Sequence, residues 1–306
     1  MKEPMTCWVC GSTETYPWKS RSLDRPLQPR DLQITDSNYG CTLALRRCRR
    51  CAFVFADAAE LGELSSLYQR LVDDAYEAGE DPRSLQMGWL LDAAGAAHPQ
   101  IRTALDVGAG TGLLVKLARQ RGWNAEGVEP SRQLVECAWN QNRVRLLLGT
   151  IPHRDVNGRK FDAVFLVDVI EHVADPIGLL RSAAQLMAPG GIMLVVTPDI
   201  RSWMARLLRQ RWWHFRLAHV GYFDARTFSK ASAQAGIRVV RRFRAKWFFR
   251  IAYLTERLAR YLPVGWIHRL MRSTGPGRAL GDRVIPLNLQ DSWVFICKEG
   301  TDEPSE

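Results

Sequence analysis

One run constrains what this chain can fold into more than any other: Thr103-Ala-Leu-Asp-Val-Gly-Ala-Gly-Thr-Gly-Leu-Leu-Val-Lys-Leu-Ala118. Leu105 and Val107 flank Asp106 in a short apolar stretch, glycines alternate at 108, 110 and 112, and a helical pattern follows. The run reads as a buried strand, a sharp turn and a helix. Alternating glycines let the backbone reverse direction and come within van der Waals contact of a ligand. The helix from about Thr111 aims its unpaired N–H groups and positive dipole end at whatever fills the turn. A dinucleotide fingerprint, G-x-G-x-x-G, would put its third glycine at 113, which is Leu113. The spacing here is G-x-G-x-G, so that site is excluded.

From Thr103 onward strand and helix patterns alternate, which predicts a mostly parallel sheet with helices on both faces. The helix over 111–121 stops at Gly122, and a second strand, Asn124–Glu129, ends in a carboxylate 19 residues past Gly110. Glu129 stands where it can accept both hydroxyls of a ribose, or cap the helix opened by Pro130-Ser131. A third strand, Arg143–Leu148, leads into Gly149-Thr150-Ile151. A fourth, Phe161–Asp168, is followed by Val169-Ile-Glu-His-Val-Ala-Asp-Pro176. Pro189-Gly-Gly191 turns the chain into a fifth strand, Ile192–Thr197. Ile237–Phe243 and Asp291–Lys298 make an antiparallel closing pair, with about 45 residues between them.

The glycine run after Asp106, Phe161-Asp-x-Val, Asp168-Val-Ile-Glu-His-Val-x-Asp-Pro176 and Pro189-Gly-Gly191 together resemble class I S-adenosylmethionine (SAM) methyltransferases. The motif after the fourth strand closely resembles that of the ubiquinone O-methyltransferase-like group. The resemblance covers about residues 100–245. It implies a Rossmann-like α/β fold with a seven-stranded sheet and a SAM-dependent methyltransferase. It also implies a cofactor set of Asp106, Gly108, Ala109, Gly110, Gly112, Glu129, Pro130, Asp168 and Val169. Many relatives carry an Asp after the third strand for the adenine amino group; here Thr150 and Ile151 stand there, so backbone groups or water must serve.

Methyl transfer is an in-line displacement at an already activated sulfonium. The protein aligns the reactants and removes a proton from a hydroxyl or carbon acid. Trp212-Trp-His-Phe-Arg-Leu-Ala-His-Val-Gly-Tyr-Phe223 resembles the segment in which relatives carry a His shortly before Tyr/Phe-Phe-Ser/Asp. His219 is thereby the first choice of base and His214 the second. His172, after the fourth strand, is either a base or a loop-fixing hydrogen-bonder.

Two C-x-x-C pairs, Cys7/Cys10 and Cys48/Cys51, lie 37 residues apart. Their four thiolates suit a closed tetrahedral zinc site, structural because no coordination position is left open. Unrelated reduced thiols or a redox pair are the alternatives. Seven cysteines, an odd count, argue against a disulfide framework. The expected organisation is a zinc-ribbon-like module over 1–58, a helical linker or cap over 59–100, and a methyltransferase domain over 101–300. A cysteine module beside such a core also resembles bacterial sugar methyltransferases.

Between Arg201 and Arg283 there are 19 Arg and Lys against 3 acids. That surplus of 16 exceeds the chain's net charge of +10, so the remainder carries −6. Within this third lies a basic, aromatic insertion at about 246–288. On a helical wheel Trp247, Ile251, Leu254, Leu258 and Leu262 face away from Lys246, Arg250, Arg257 and Arg260. Such a face suits either packing on the sheet or peripheral membrane contact through 246–272. No apolar run approaches a membrane span, and Met-Lys-Glu-Pro-Met-Thr lacks a signal-peptide core. The expected location is cytoplasmic, either free or, on the second of these readings, peripheral at the inner face of the membrane. The expected acceptor is a small molecule, a sugar or a lipid-linked compound. RNA methylation through the zinc module and Arg-rich surface is the alternative, weakened because no Asn/Asp-Pro-Pro-Tyr/Phe motif follows the fourth strand. A scaffold on a degenerate fold is the non-enzymatic alternative, opposed by the intact Asp106, glycines and Glu129.

Overall fold

A computed structural model describes residues 5–32, 39–62, 67, 80–259, 261–263, 265–273 and 275–300. In chain order the strands are β1 (Thr15–Lys19), β2 (Leu45–Cys48), β3 (Val54–Ala56), β4 (Thr103–Val107), β5 (Asn124–Glu129), β6 (Leu147–Leu148), β7 (Phe161–Val167), β8 (Met187–Pro198), β9 (Gly221–Tyr222), β10 (Ile237–Arg244), β11 (Trp247–Arg250), β12 (Val284–Leu287) and β13 (Ser292–Glu299). The helices are α1 (Glu80–Ala97), α2 (Leu113–Gln120), α3 (Arg132–Asn142), α4 (Pro176–Ala184), α5 (Trp203–Leu208), α6 (Ala225–Gln234), α7 (Ile251–Leu258), α8 (Gly265–Ser273) and α9 (Gly275–Gly281).

The alternating pattern builds a seven-stranded sheet in the order β10-β13-β8-β7-β4-β5-β6. β4 to β8 run parallel, and β13 inserts antiparallel between β8 and β10. This is the seven-stranded Rossmann-like sheet that the motifs lead one to expect. The order reverses between β4 and β7, and in open α/β sheets the crevice beyond the strand ends at such a switch point is where ligands bind. Because strand side chains alternate, the two faces divide the core. Ala104, Ala163, Phe165 and Val167 pack beneath α1, α2 and α3, whereas Leu105, Val107, Val164 and Leu166 pack against α4 and α6. Phe228 of α6 stacks on Phe295 of β13 with ring centroids 3.9 Å apart.

The cysteine module is a second sheet, β1-β2-β3-β9, whose last strand comes from far along the chain. Val54 pairs with Tyr222 and Phe55 with Gly221. Phe53 meets Phe223 at 4.8 Å, so the module shares its apolar core with the large sheet.

Three local expectations change. The third strand shortens to Leu147–Leu148. β8 begins at Met187, so Pro189-Gly-Gly191 forms a bulge inside it: Phe161 pairs with Met187, and Ala163 already pairs with Ile192. Gly190 supplies a φ of +76°, and a Cβ at Gly191 would lie 2.9 Å from the Asp162 carbonyl oxygen. The insertion is not helical from 246. Trp247-Phe-Phe-Arg250 forms β11, antiparallel to Val284-Ile-Pro-Leu287, because aromatic and β-branched side chains suit a strand once a partner strand is present. α7, α8 and α9 lie between the two. Arg260 lies outside the described residues. No helix among the described residues is long and apolar enough to cross a membrane.

Candidate active site

The glycine turn is held against the neighbouring strand: Gly108 and Ala109 N–H donate to the Val128 carbonyl at 2.8 and 3.1 Å. Gly108, Gly110 and Gly112 all have positive φ. At Gly108 a Cβ would also lie 2.6 Å from the Val169 Cγ2, and at Gly112 3.1 Å from Val144. Glycine is required here by both backbone conformation and space. Glu129 is fully buried at the end of β5. Its Oε2 accepts from Gly110 N–H and its Oε1 from Ser131 N–H, both at 2.9 Å. Each oxygen retains a second lone pair for a ligand hydroxyl. Ser131 caps α3 by accepting from Leu134 N–H. Burial raises the Glu129 carboxyl to about 7 in spite of these two donors. Burial, followed by the Glu129 charge, raises Asp106 to about 8. Such carboxyls gain from a cationic ligand.

Around this turn runs a cleft lined by Arg83, Met87, Asp106, Gly108, Ala109, Thr111, Leu113, Leu114 and Val167. Gly149 N–H donates to the Glu129 carbonyl at 3.0 Å, which sets exposed Thr150 and buried Ile151 beside half-buried Pro130. Arg83 enters from α1 and pairs with Asp168 at 3.7 Å. Asp168 itself has a φ of +55°, a conformation few non-glycine residues adopt. A glycine cradle beside two buried carboxylates fits SAM, whose sulfonium and amino group are cationic.

Just beyond Val169 the chain makes a 3₁₀ turn, Ile170–His172. Glu171 is buried: its Oε2 accepts from the Thr197 hydroxyl at 3.1 Å, and its backbone carbonyl accepts from Val220 N–H at 2.8 Å. His172 Nδ1 lies 2.9 Å from the Ala218 carbonyl oxygen; that oxygen only accepts, so Nδ1 carries the proton and Nε2 the lone pair. His219 packs edge-on against His172, with ring centroids 4.8 Å apart, and stacks over His214 at 6.1 Å. Nδ1 of His219 and Oε1 of Glu171 are buried without a hydrogen-bond partner among the described residues. Ligand atoms of Glu171, His172 and His219 lie within 4.8 Å of one another, a set able to hold a divalent cation. His214 Nε2 and Trp213 Nε1 donate to Asp291 Oδ2 at 3.1 and 2.8 Å. Burial alone would raise Asp291, but these donors outweigh it and hold its carboxyl below the usual range. Burial lowers His172 to about 4. It also holds His219 well below the ordinary histidine range, helped by the charges of His172 and His214. The structure thus brings the three sequence-predicted histidines together beside the cofactor cleft. Arg83 and Asp291 escaped the sequence reading, because neither stands in a motif.

Residues 65–242 match the methyltransferase domain family. The chain belongs to that family. It is similar to the ubiquinone biosynthesis O-methyltransferase of Pseudomonas paraeruginosa (strain DSM 24068 / PA7), 28% identical over 153 residues, covering 46% of this chain and 63% of that one. The enzyme of the same name from Bordetella avium (strain 197N) is 29% identical over 143 residues, covering 44% and 58%. The chain therefore spans about three-fifths of the length of these curated relatives. Among solved structures, a SAM-dependent methyltransferase of Thermotoga maritima superposes with a TM-score of 0.49 at 19% identity, over 78% of this chain and all of that one.

Beside this core the four cysteines sit in two knuckles of matching geometry. Gly11 N–H bonds the Cys7 carbonyl and Ala52 N–H the Cys48 carbonyl, at 2.9 and 3.0 Å. Gly11 and Ala52, each directly after the second cysteine of its pair, both have positive φ. Cys7 Sγ is 3.5 Å from Cys51 Sγ, and Cys10 Sγ 3.5 Å from Cys48 Sγ. All four sulfurs lie within 4.8 Å of one another. A tetrahedral zinc with bonds of about 2.3 Å sets sulfurs about 3.8 Å apart, so this donor set fits the ion.

Proposed function

We propose that the chain transfers the methyl group of SAM to a hydroxyl or carbon acid of a small-molecule, sugar or lipid-linked acceptor. The observation that carries this reading is the meeting of His172, His214 and His219 next to the cofactor cleft, joined to it by the packing of Val169 on Gly108. When bound, SAM supplies a methyl group on an activated sulfonium. Asp106 and the turn from Gly108 to Gly112 hold its amino-acid end, while Glu129 and Pro130 take the ribose and Thr150 and Ile151 border the adenine. Asp168 and Val169 close the floor. His219, buried and neutral at pH 7, takes the acceptor's proton on Nδ1, with His172 Nε2 as the second proton acceptor. Asp291 fixes the ring of His214, on which His219 stacks. Both curated relatives are named for O-methylation, which favours a hydroxyl acceptor. Cys7, Cys10, Cys48 and Cys51 hold a structural zinc. We place the chain in the cytoplasm, at the inner face of the membrane.

The test is to incubate the protein with SAM labelled in its methyl group and with lipid and glycan extracts. His219→Ala should lower label transfer by about 10² to 10⁴-fold while leaving the SAM dissociation constant unchanged by calorimetry. Undiminished transfer would reject the histidine's role.

A further inference from the structure

Large apolar side chains recur in exposed pairs four residues apart on three segments of the basic third. Trp203 and Leu207 lie on α5, Leu258 and Leu262 at the end of α7 and just beyond it, and Trp266 and Leu270 on α8. All six are between 45 and 64% exposed. Spacing of four puts each pair on one side of its turn. Packing does not explain them: on α8, Ile267, His268 and Met271 turn inward, and His268 and Met271 meet Thr255 of α7. The segments are tied together. Tyr261 hydroxyl donates to the Arg211 carbonyl at 2.9 Å, and the Arg211 guanidinium covers the Tyr261 ring at 5.1 Å. Exposed Arg206, Arg209, Arg269 and Arg272 flank the pairs.

We propose that this surface docks on an anionic phospholipid bilayer, with the six apolar side chains entering the interface and the arginines meeting lipid phosphates. Two facts select a membrane. The charge is strongly one-signed, 19 basic residues against 3 acids from Arg201 to Arg283, which complements an anionic surface. Phosphate recognition alone needs no exposed Trp or Leu, whereas interfacial helices combine both kinds of residue. The surface also adjoins the histidines. Asp199, four residues before α5, donates its N–H to the carbonyl of Asp291, the residue that holds His214. Docking therefore sets the candidate active site at the bilayer, and this last consequence rests on the methyl-transfer reading.

The experiment is co-sedimentation of the whole chain with vesicles of phosphatidylcholine alone or mixed with phosphatidylglycerol. The protein should pellet with the anionic vesicles only, and be released as NaCl approaches about 1 M, where the Debye length is about 3 Å. Leu262→Asp with Trp266→Asp should abolish pelleting while its SAM affinity and melting temperature stay those of the parent chain. Three results would each overturn the proposal: no pelleting at low salt, equal pelleting of the double variant, or dimerisation in light scattering that the variant abolishes. Equal affinity for poly-uridylate in parent and variant, without vesicle binding, would assign the charge to RNA instead and overturn it as well. The assay contains neither SAM nor acceptor, so its failure leaves methyl transfer standing, and failed methyl transfer leaves the surface standing.

Discussion

At the scale of single residues, burial sets the acid–base behaviour of the candidate site. A base works in its neutral form, and the neutral fraction of a histidine falls as pH drops through its pKa. Burial takes His172 down to about 4 and holds His219 well below the ordinary histidine range. The acid limb of kcat/KM should therefore lie near pH 4, well below the ordinary histidine value of about 6.5. A pH–rate profile with its limb centred near 6.5 would refute proton transfer to these rings as they are buried here. Asp106 behaves oppositely: its folded pKa of about 8 exceeds the ordinary value of about 3.9. Between those limits the folded chain binds more protons than the unfolded one, so stability contributed by protonated Asp106 is present at low pH and lost as pH rises through 8. Chemical denaturation from pH 5 to 9 should show this decline, and Asp106→Asn should flatten it. Asp106 was visible in the sequence because it sits in a local motif; the burial of its carboxyl within reach of the Glu129 charge on the neighbouring strand was not.

At the scale of elements, the turn between β4 and α2 is the most constrained piece of backbone. Gly108→Ala forces a Cβ into a left-handed position and against Val169. It should cost about 1–3 kcal/mol, a fall of several degrees in melting temperature, and abolish SAM binding. Gly122→Ala is the control. Gly122 also has a positive φ but open space around it, so stability should fall while SAM affinity holds. Unaltered SAM affinity in Gly108→Ala would reject the turn as the cofactor cradle. Other elements obeyed local rules equally well: Asp224 caps α6 in a full capping box with Thr227, and Gly236 ends the segment with a φ of +78°. β11 did not. A run such as Trp247-Phe-Phe-Arg250 satisfies helical periodicity and strand propensity alike, and its partner Val284–Leu287 lies on the far side of three helices.

At the scale of the whole molecule, the cysteine module and the large sheet share a core, so a metal held by the four cysteines, as proposed, should matter beyond its own ligands. Metal analysis should find one zinc per chain. Removing it by chelation, or by Cys48→Ser, should lower the melting temperature of the entire protein, because β3 carries β9 and Phe53 supports Phe223. A metal-free preparation with an unchanged melt would sink the site. Order along the chain was legible without coordinates: the strand–glycine–helix turn, the carboxylate ending β5 and the cysteine knuckles depend on φ, ψ and spacings of a few residues, which short segments dictate. Packing alone decided the rest. His172 and His219, Asp291 beneath His214, Arg83 over Asp168 and β9 on β3 join segments between 47 and 168 residues apart in sequence. Such meetings depend on how buried faces fit one another across the sheet, and no local spacing encodes that fit.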